Sequence, residues 1–210
     1  MVRIKKTIDY INVLCRSEMA ERRLLGENLK RQYAKWVSTL DFDDFSAFAD
    51  VIMRNRKLIG AAQLFGKFRA YALEEYLYRL LKKRCKIQQP LDVFWGEKCL
   101  VLRNDGKAYG IEFDVSVGAK NGAYVDPLLV IDAKMELDSA RLKTSLGSFV
   151  IMKNYKPGVY CVIVYVVEEL DAVLLRLAGN WVNAFFQLTL KNGNVENLVN
   201  YVNSCLEKAY

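Results

Sequence analysis

The alternation of apolar and polar positions divides the chain into a helical first part and a mixed remainder. Residues 1–60 read as helical and polar, with Ser17 placed to cap a helix that reaches about Val37. Its apolar stripe is thin: Met19 and Leu24 are interleaved with Arg23, Asn28 and Arg31. A second helix is expected from the Asp41–Asp44 cluster, because carboxylates suit a helix N-terminus. Phe45, Phe48, Ala49, Ile52 and Met53 then follow at helical spacing. The DFDD cluster has the letters of a metal site, but capping accounts for it more simply. The strongest helical pattern covers residues 62–84, with Leu73, Leu77, Leu80 and Leu81 on a core-facing side and Lys82, Lys83 and Arg84 at the C-terminal end. Glu74 and Glu75 interrupt its apolar run; such carboxylates usually lie on a solvated face.

From Pro90 onward the period changes to two. Strands are predicted over residues 91–95, 98–103, 109–117 and 128–135, with Asn104-Asp105-Gly106-Lys107 as a tight hairpin turn. A helix follows over 137–152, with Leu142, Leu146, Phe149 and Val150 inward. Residues 158–167 (GVYCVIVYVV) are almost wholly apolar, as in a central strand covered on both faces. The pattern predicts a mostly helical stretch over 171–190, a turn at 192–194 and an amphipathic helix over 195–208 with Leu198, Val202 and Leu206 inward. This order predicts an α/β core, a mixed central sheet flanked by helices, preceded by an N-terminal helical extension. The extension is assigned residues 1–60, as part of one domain or as an arm for a dimer or for DNA; the core takes 61–210.

Composition narrows the chemistry. The chain has 210 residues, 52% of them hydrophobic, enough for a true core. Thirty-one Lys and Arg against twenty-four Asp and Glu give +7, which fits a polyanionic partner without requiring one. The five cysteines are scattered with no CxxC pair, which reads as reduced thiols in a cytoplasmic protein. No leader or membrane span is visible, so a soluble intracellular protein is expected. There is no histidine at all. That removes Ser-His-Asp and Cys-His catalysis and imidazole zinc sites. Hydrolytic chemistry would have to rest on carboxylates, lysine and a hard cation held by oxygens.

One constellation meets that requirement. In YGIEFDVSV, Glu112 and Asp114 alternate with apolar residues; in DPLLVIDAK, both faces are apolar until Asp132, which shares a face with Lys134. If the two strands pair, Asp114 and Asp132 approach closely enough to share a cation. Two oxygen ligands, Mg²⁺ and a neighbouring ammonium are what phosphodiester hydrolysis uses. A second D-x-K, Asp105-Gly106-Lys107, falls in the turn and is set aside. Asp126-Pro127 fits a loop or strand start.

The pattern E-φ-D-φ followed by φφφ-D-x-K resembles the PD-(D/E)xK nuclease superfamily, and the order helix, three strands, helix, strand over about residues 62–170 matches as well. The resemblance implies a restriction-endonuclease-like fold and a Mg²⁺-dependent deoxyribonuclease, with Mn²⁺ able to substitute. Asp114 would be the first metal-ligating aspartate, Asp132 and Lys134 the (D/E)xK pair, and the Ala133 carbonyl a further ligand. The first-helix glutamate would fall on Glu74 or Glu75, with Glu74 preferred. Phe113 stands where the motif's proline is expected. Archaeal Holliday-junction resolvases, RecB-like repair nucleases and type II restriction enzymes all fit the resemblance. A compact chain with short loops and a basic helical face looks most like the archaeal or archaeal-virus resolvases and RecB-like repair nucleases, since restriction enzymes usually carry longer insertions for base readout. DNA is then the expected partner, with Lys120, Arg141 and Lys143 as candidate contacts, and a homodimer is expected for paired cuts. The alternative is a nuclease-fold protein that binds nucleic acid or assembles without cutting.

Overall fold

The computed structural model describes residues 6–170, 172–189 and 194–208. The chain forms two compact units, Met1–Arg79 and Leu80–Tyr210. Among the described residues no helix is long and apolar enough to cross a membrane.

The first unit is helical: α1 (Thr7–Cys15), α2 (Ala20–Thr39), α3 (Phe42–Arg54), the single turn α4 (Arg56–Ile59), and most of α5 (Ala62–Arg84). The Asp41 carboxylate accepts hydrogen bonds from the Asp43 and Asp44 N–H groups, so the DFDD cluster does cap a helix. Asp44 itself pairs with Lys35 and accepts from Thr39. Ser17 does not cap α2. Met19 holds that position, and the Ser17 hydroxyl accepts instead from the Met19 N–H, before the helix begins. Aromatic side chains fill the unit's core, with Trp36 edge-on to Phe45 at 5.8 Å and Tyr76 stacked on Phe45 at 4.7 Å.

Glu74 and Glu75 are buried, contrary to the solvated face expected for them. Glu75 joins three segments: it accepts from the Thr7 N–H (3.1 Å), the Tyr33 hydroxyl (2.8 Å) and Arg79 Nε (2.9 Å). Thr7 is the first residue of α1, so this carboxylate also meets a helix N-terminus. Burial, then the bond to Glu75, pushes the Tyr33 hydroxyl well above its usual range. Removing Glu75 strands a guanidinium, a hydroxyl and an N–H together. Glu75→Ala is therefore expected to destabilise the chain by about 3 kcal/mol, and Glu75→Gln by less, as read by denaturant unfolding.

The second unit is built on one seven-stranded mixed sheet. Its strands are β1 (Leu91–Trp95), β2 (Lys98–Asn104), β3 (Lys107–Glu112), β4 (Val115–Asn121), β5 (Tyr124–Leu137), β6 (Tyr160–Glu168) and β7 (Ala184–Gln187). α6 (Ser139–Tyr155), α7 (Ala172–Ala178) and α8 (Asn194–Glu207) complete the unit. The β2–β3 hairpin turns at Asp105 and Gly106, both with positive φ, as an Asp-Gly turn demands. β5 is the spine. β4 runs antiparallel along one edge, from Val115 opposite Ile131 to Asn121 opposite Tyr124. The other edge carries β6, parallel from Leu129–Tyr160 to Leu137–Glu168, and a single β2 bridge at Cys99–Val125. A core of Val130, Cys161, Ile163, Phe113, Phe149 and Met152 lies on one face.

Two predicted elements differ. The expected strand over 109–117 is broken: β3 ends at Glu112 on β2, and β4 begins at Val115 between β1 and β5. Phe113 is the pivot, buried and stacked on Phe149 with centroids 5.8 Å apart. Within 171–190 the helix is short, α7 alone, and residues 184–187 extend the sheet as β7, parallel to β6. The turn expected at 192–194 lies largely outside the described residues, and Asn194 opens α8.

Candidate active site

The site arises where β4 stops and β5 continues. β4 pairs with β5 only as far as Val115–Ile131, so residues 132–137 have no β4 partner on that edge. Asp114, the residue just before β4, fills the first gap with its side chain. Its Oδ2 accepts the Ala133 N–H at 2.7 Å, where another strand would have supplied a carbonyl. Its own carbonyl accepts the Gly96 N–H at 3.0 Å, which fixes the backbone beside β1. A residue in extended strand presents N–H and C=O to the same edge, so the Ala133 carbonyl faces the Asp114 side too.

Asp132 and Lys134 project from the face of β5 that carries Val130 above the core. The Lys134 ammonium pairs with Asp132 Oδ1 and lies 3.7 Å from Asp114 Oδ2. All three side chains are half-enclosed, with exposures of 13% for Asp132, 21% for Lys134 and 27% for Asp114. The structure thus brings together Asp114, Asp132, Ala133 and Lys134. Within the trio of charged side chains, one ammonium faces two carboxylates, so one negative charge is left over. In a partly desolvated pocket that excess favours a further cation.

Among the described residues no group of three or more His, Cys, Asp or Glu side chains is arranged to hold a metal. The donor set at this point is two carboxylates and a backbone carbonyl. All are hard oxygens, the type that Mg²⁺ prefers, and a dedicated all-protein cage is not needed for that ion. The residues fit a hard divalent cation.

β5 runs two residues past the strand end expected at Met135. Glu136 therefore joins the face of Asp132 and Lys134, a placement hidden in the sequence although DAKME already alternates. Glu136 lies 3.9 Å from the Arg141 guanidinium, which also pairs with Asp138 at 2.6 Å. Arg141 is thus tied to local carboxylates. Tyr165 stands opposite Lys134 in the β5–β6 ladder, and its hydroxyl donates to Glu168 at 2.5 Å. Lys120 pairs with Glu97 and sits over the Phe94 ring, whereas Lys143 is exposed on α6. Glu74 and Glu75 belong to the helical unit. Three thiols are made poor nucleophiles by burial, which pushes Cys85 and Cys161 up to about 12 and Cys99 to about 11.

The sequence matches no protein-family model and no curated protein. Its fold is similar to that of solved structures. One is restriction endonuclease PspGI in complex with substrate DNA: TM-score 0.51, 13% identity, with 98% of this chain and 94% of that chain covered. Another is the native A2B2 tetramer of BbvCI: TM-score 0.52, 11% identity, with 86% and 87% covered. The class this defines is structural. The chain has a restriction-endonuclease-like fold, as the strand and helix order predicted.

Proposed function

We propose that this chain is a divalent-metal-dependent DNA endonuclease of the PD-(D/E)xK type. The observation that carries the reading is the meeting of Asp114, Asp132 and Lys134 where β5 outruns β4. In this reading Asp114, Asp132 and the Ala133 carbonyl hold Mg²⁺ or Mn²⁺. The bound cation supplies charge neutralisation at the phosphoryl oxygens and makes water more acidic. Lys134 donates hydrogen bonds to a non-bridging oxygen or orients the attacking water, and the Ala133 N–H keeps the Asp114 carboxylate in place.

For substrate, the reading favours a structure-selective enzyme acting on four-way junctions or repair intermediates as a homodimer, because the β-strand connections leave few insertions for base readout. Sequence-specific cutting of duplex DNA is the second reading, favoured by the likeness to PspGI, whose structure holds substrate DNA. The test is cleavage of linear duplex, single-stranded, flap and four-way-junction DNA with Mg²⁺ or Mn²⁺. Preferential resolution of the junction is expected. Cutting of duplex at one sequence would support the second reading, and no cutting of any substrate would favour a binding or assembly protein.

A further inference from the structure

The net positive charge is concentrated in the helical unit, where residues 1–79 hold fifteen Lys and Arg against ten Asp and Glu. Its densest stretch lies between residues 51 and 73, which carry Arg54, Arg56, Lys57, Lys67 and Arg69 and no carboxylate. Arg54, Arg56 and Lys57 are exposed, and among the described residues none of them pairs with a carboxylate. They sit on a firmly held α3–α4 junction. The Asn55 side chain donates to the Val51 carbonyl at 2.8 Å, Arg22 donates to the Ile59 carbonyl at 3.2 Å, and Gly60 closes α4 with φ of 120°. The Arg56 guanidinium lies over the Phe65 ring, 5.3 Å from its centroid, and Arg69 approaches the same ring at the same distance.

Stability explains little of this. Arg54 closes α3, where a cation suits the dipole, but Arg56 and Lys57 lie in the single turn of α4, which is too short to favour their charges in the same way. Three neighbouring cations also repel one another. Stacking on Phe65 holds the Arg56 fork in place before any ligand arrives, which lowers the entropy lost on binding an anion. Ile59 is buried and Leu58 half-buried, leaving Met53 as the exposed apolar neighbour, too little for insertion into a membrane surface.

We infer that the α3–α4 junction, through Arg54, Arg56 and Lys57, is a phosphate-binding surface for the nucleic-acid backbone, separate from the carboxylate site. The partner class rests on the nuclease reading above. The surface contributes affinity without sequence preference, since phosphates carry no base information.

The test is binding of labelled mixed-sequence duplex DNA to the full chain, with Ca²⁺ in place of Mg²⁺, across a salt series. Arg54→Gln/Arg56→Gln/Lys57→Gln is expected to weaken all duplexes alike, by roughly tenfold or more near 0.1 M salt. It should also reduce the slope of log K against log salt by about 1 for each phosphate the protein no longer neutralises. Circular dichroism melting should be unchanged, and Arg56→Glu alone gives a second reading should the triple variant misfold. An unchanged slope and affinity would overturn the inference. So would loss of binding to phosphatidylserine vesicles with DNA binding intact. Wild-type chain that cuts nothing, yet binds DNA with a slope the triple variant flattens, would remove the nuclease reading and leave this surface standing. Cutting that proceeds with a slope indifferent to the triple variant would do the reverse.

Discussion

Lys134→Met is expected to abolish DNA cutting, by about a hundredfold or more, while tightening divalent-cation binding by roughly tenfold. The two effects point in opposite directions because one ammonium has two roles. It pairs with Asp132 and stands 3.7 Å from Asp114, so it competes for the oxygens that a cation would use. Methionine keeps the length and apolar stem of the side chain but leaves both carboxylates unneutralised, and a partly buried pair of like charges gains more from a divalent ion. The same change removes the donor that would meet the phosphate, and loss of one such preorganised group commonly costs 10²–10³ in rate. Calorimetric titration with Ca²⁺ or Mn²⁺ reads the first effect and a cleavage assay the second. Weaker cation binding in Lys134→Met would mean that the lysine supports the pocket rather than competes within it.

Gly118→Ala is expected to cost the chain about 3 kcal/mol or more and to lower Tm by roughly 10 °C. A Cβ at this position would lie 2.2 Å from the Asp126 carbonyl oxygen and 2.9 Å from Pro127 Cα. Both are backbone atoms of β5, so no side chain can swing away. The clash falls at the register shift between Val117 and Gly118, beside a proline that cannot donate to the ladder. Moving β4 off β5 there also moves its other end, where Asp114 holds the Ala133 N–H. Activity is therefore expected to fall before the chain unfolds. Gly147→Ala is the control: Gly147 is exposed within α6 with no atom near an added Cβ, and alanine there should stabilise by about 0.5–1 kcal/mol. Thermal melts of the two variants side by side check both signs.

The pair on β5 was legible because it obeys local rules. Asp132 and Lys134 share a face by period two, and the loss of apolar character at Asp132 marks the strand's emergence from the core. The break at Phe113–Asp114 was not legible, because the alternation continues through it while the chain changes neighbours. Phe113 stays on the inward face, stacked on Phe149, so nothing in the pattern signals that Asp114 ends outside a strand. Residues 184–187 were missed for a related reason: four half-buried residues after a helical pattern carry too short a period to separate strand from helix. The interior position of Glu75 depends on Thr7, Tyr33 and Arg79, and two of these lie 68 and 42 residues away in sequence. Only tertiary structure brings such partners together.

In the proposed function, Asp132 and Lys134 carry a metal-dependent phosphodiester cleavage. Its most direct measurement compares wild type, Asp132→Ala and Lys134→Ala on the DNA that the wild type cuts best, with Mg²⁺ and with excess chelator. Cutting that requires the metal and disappears in both variants, whose melts remain cooperative, is the predicted result; cutting that survives both substitutions would contradict it.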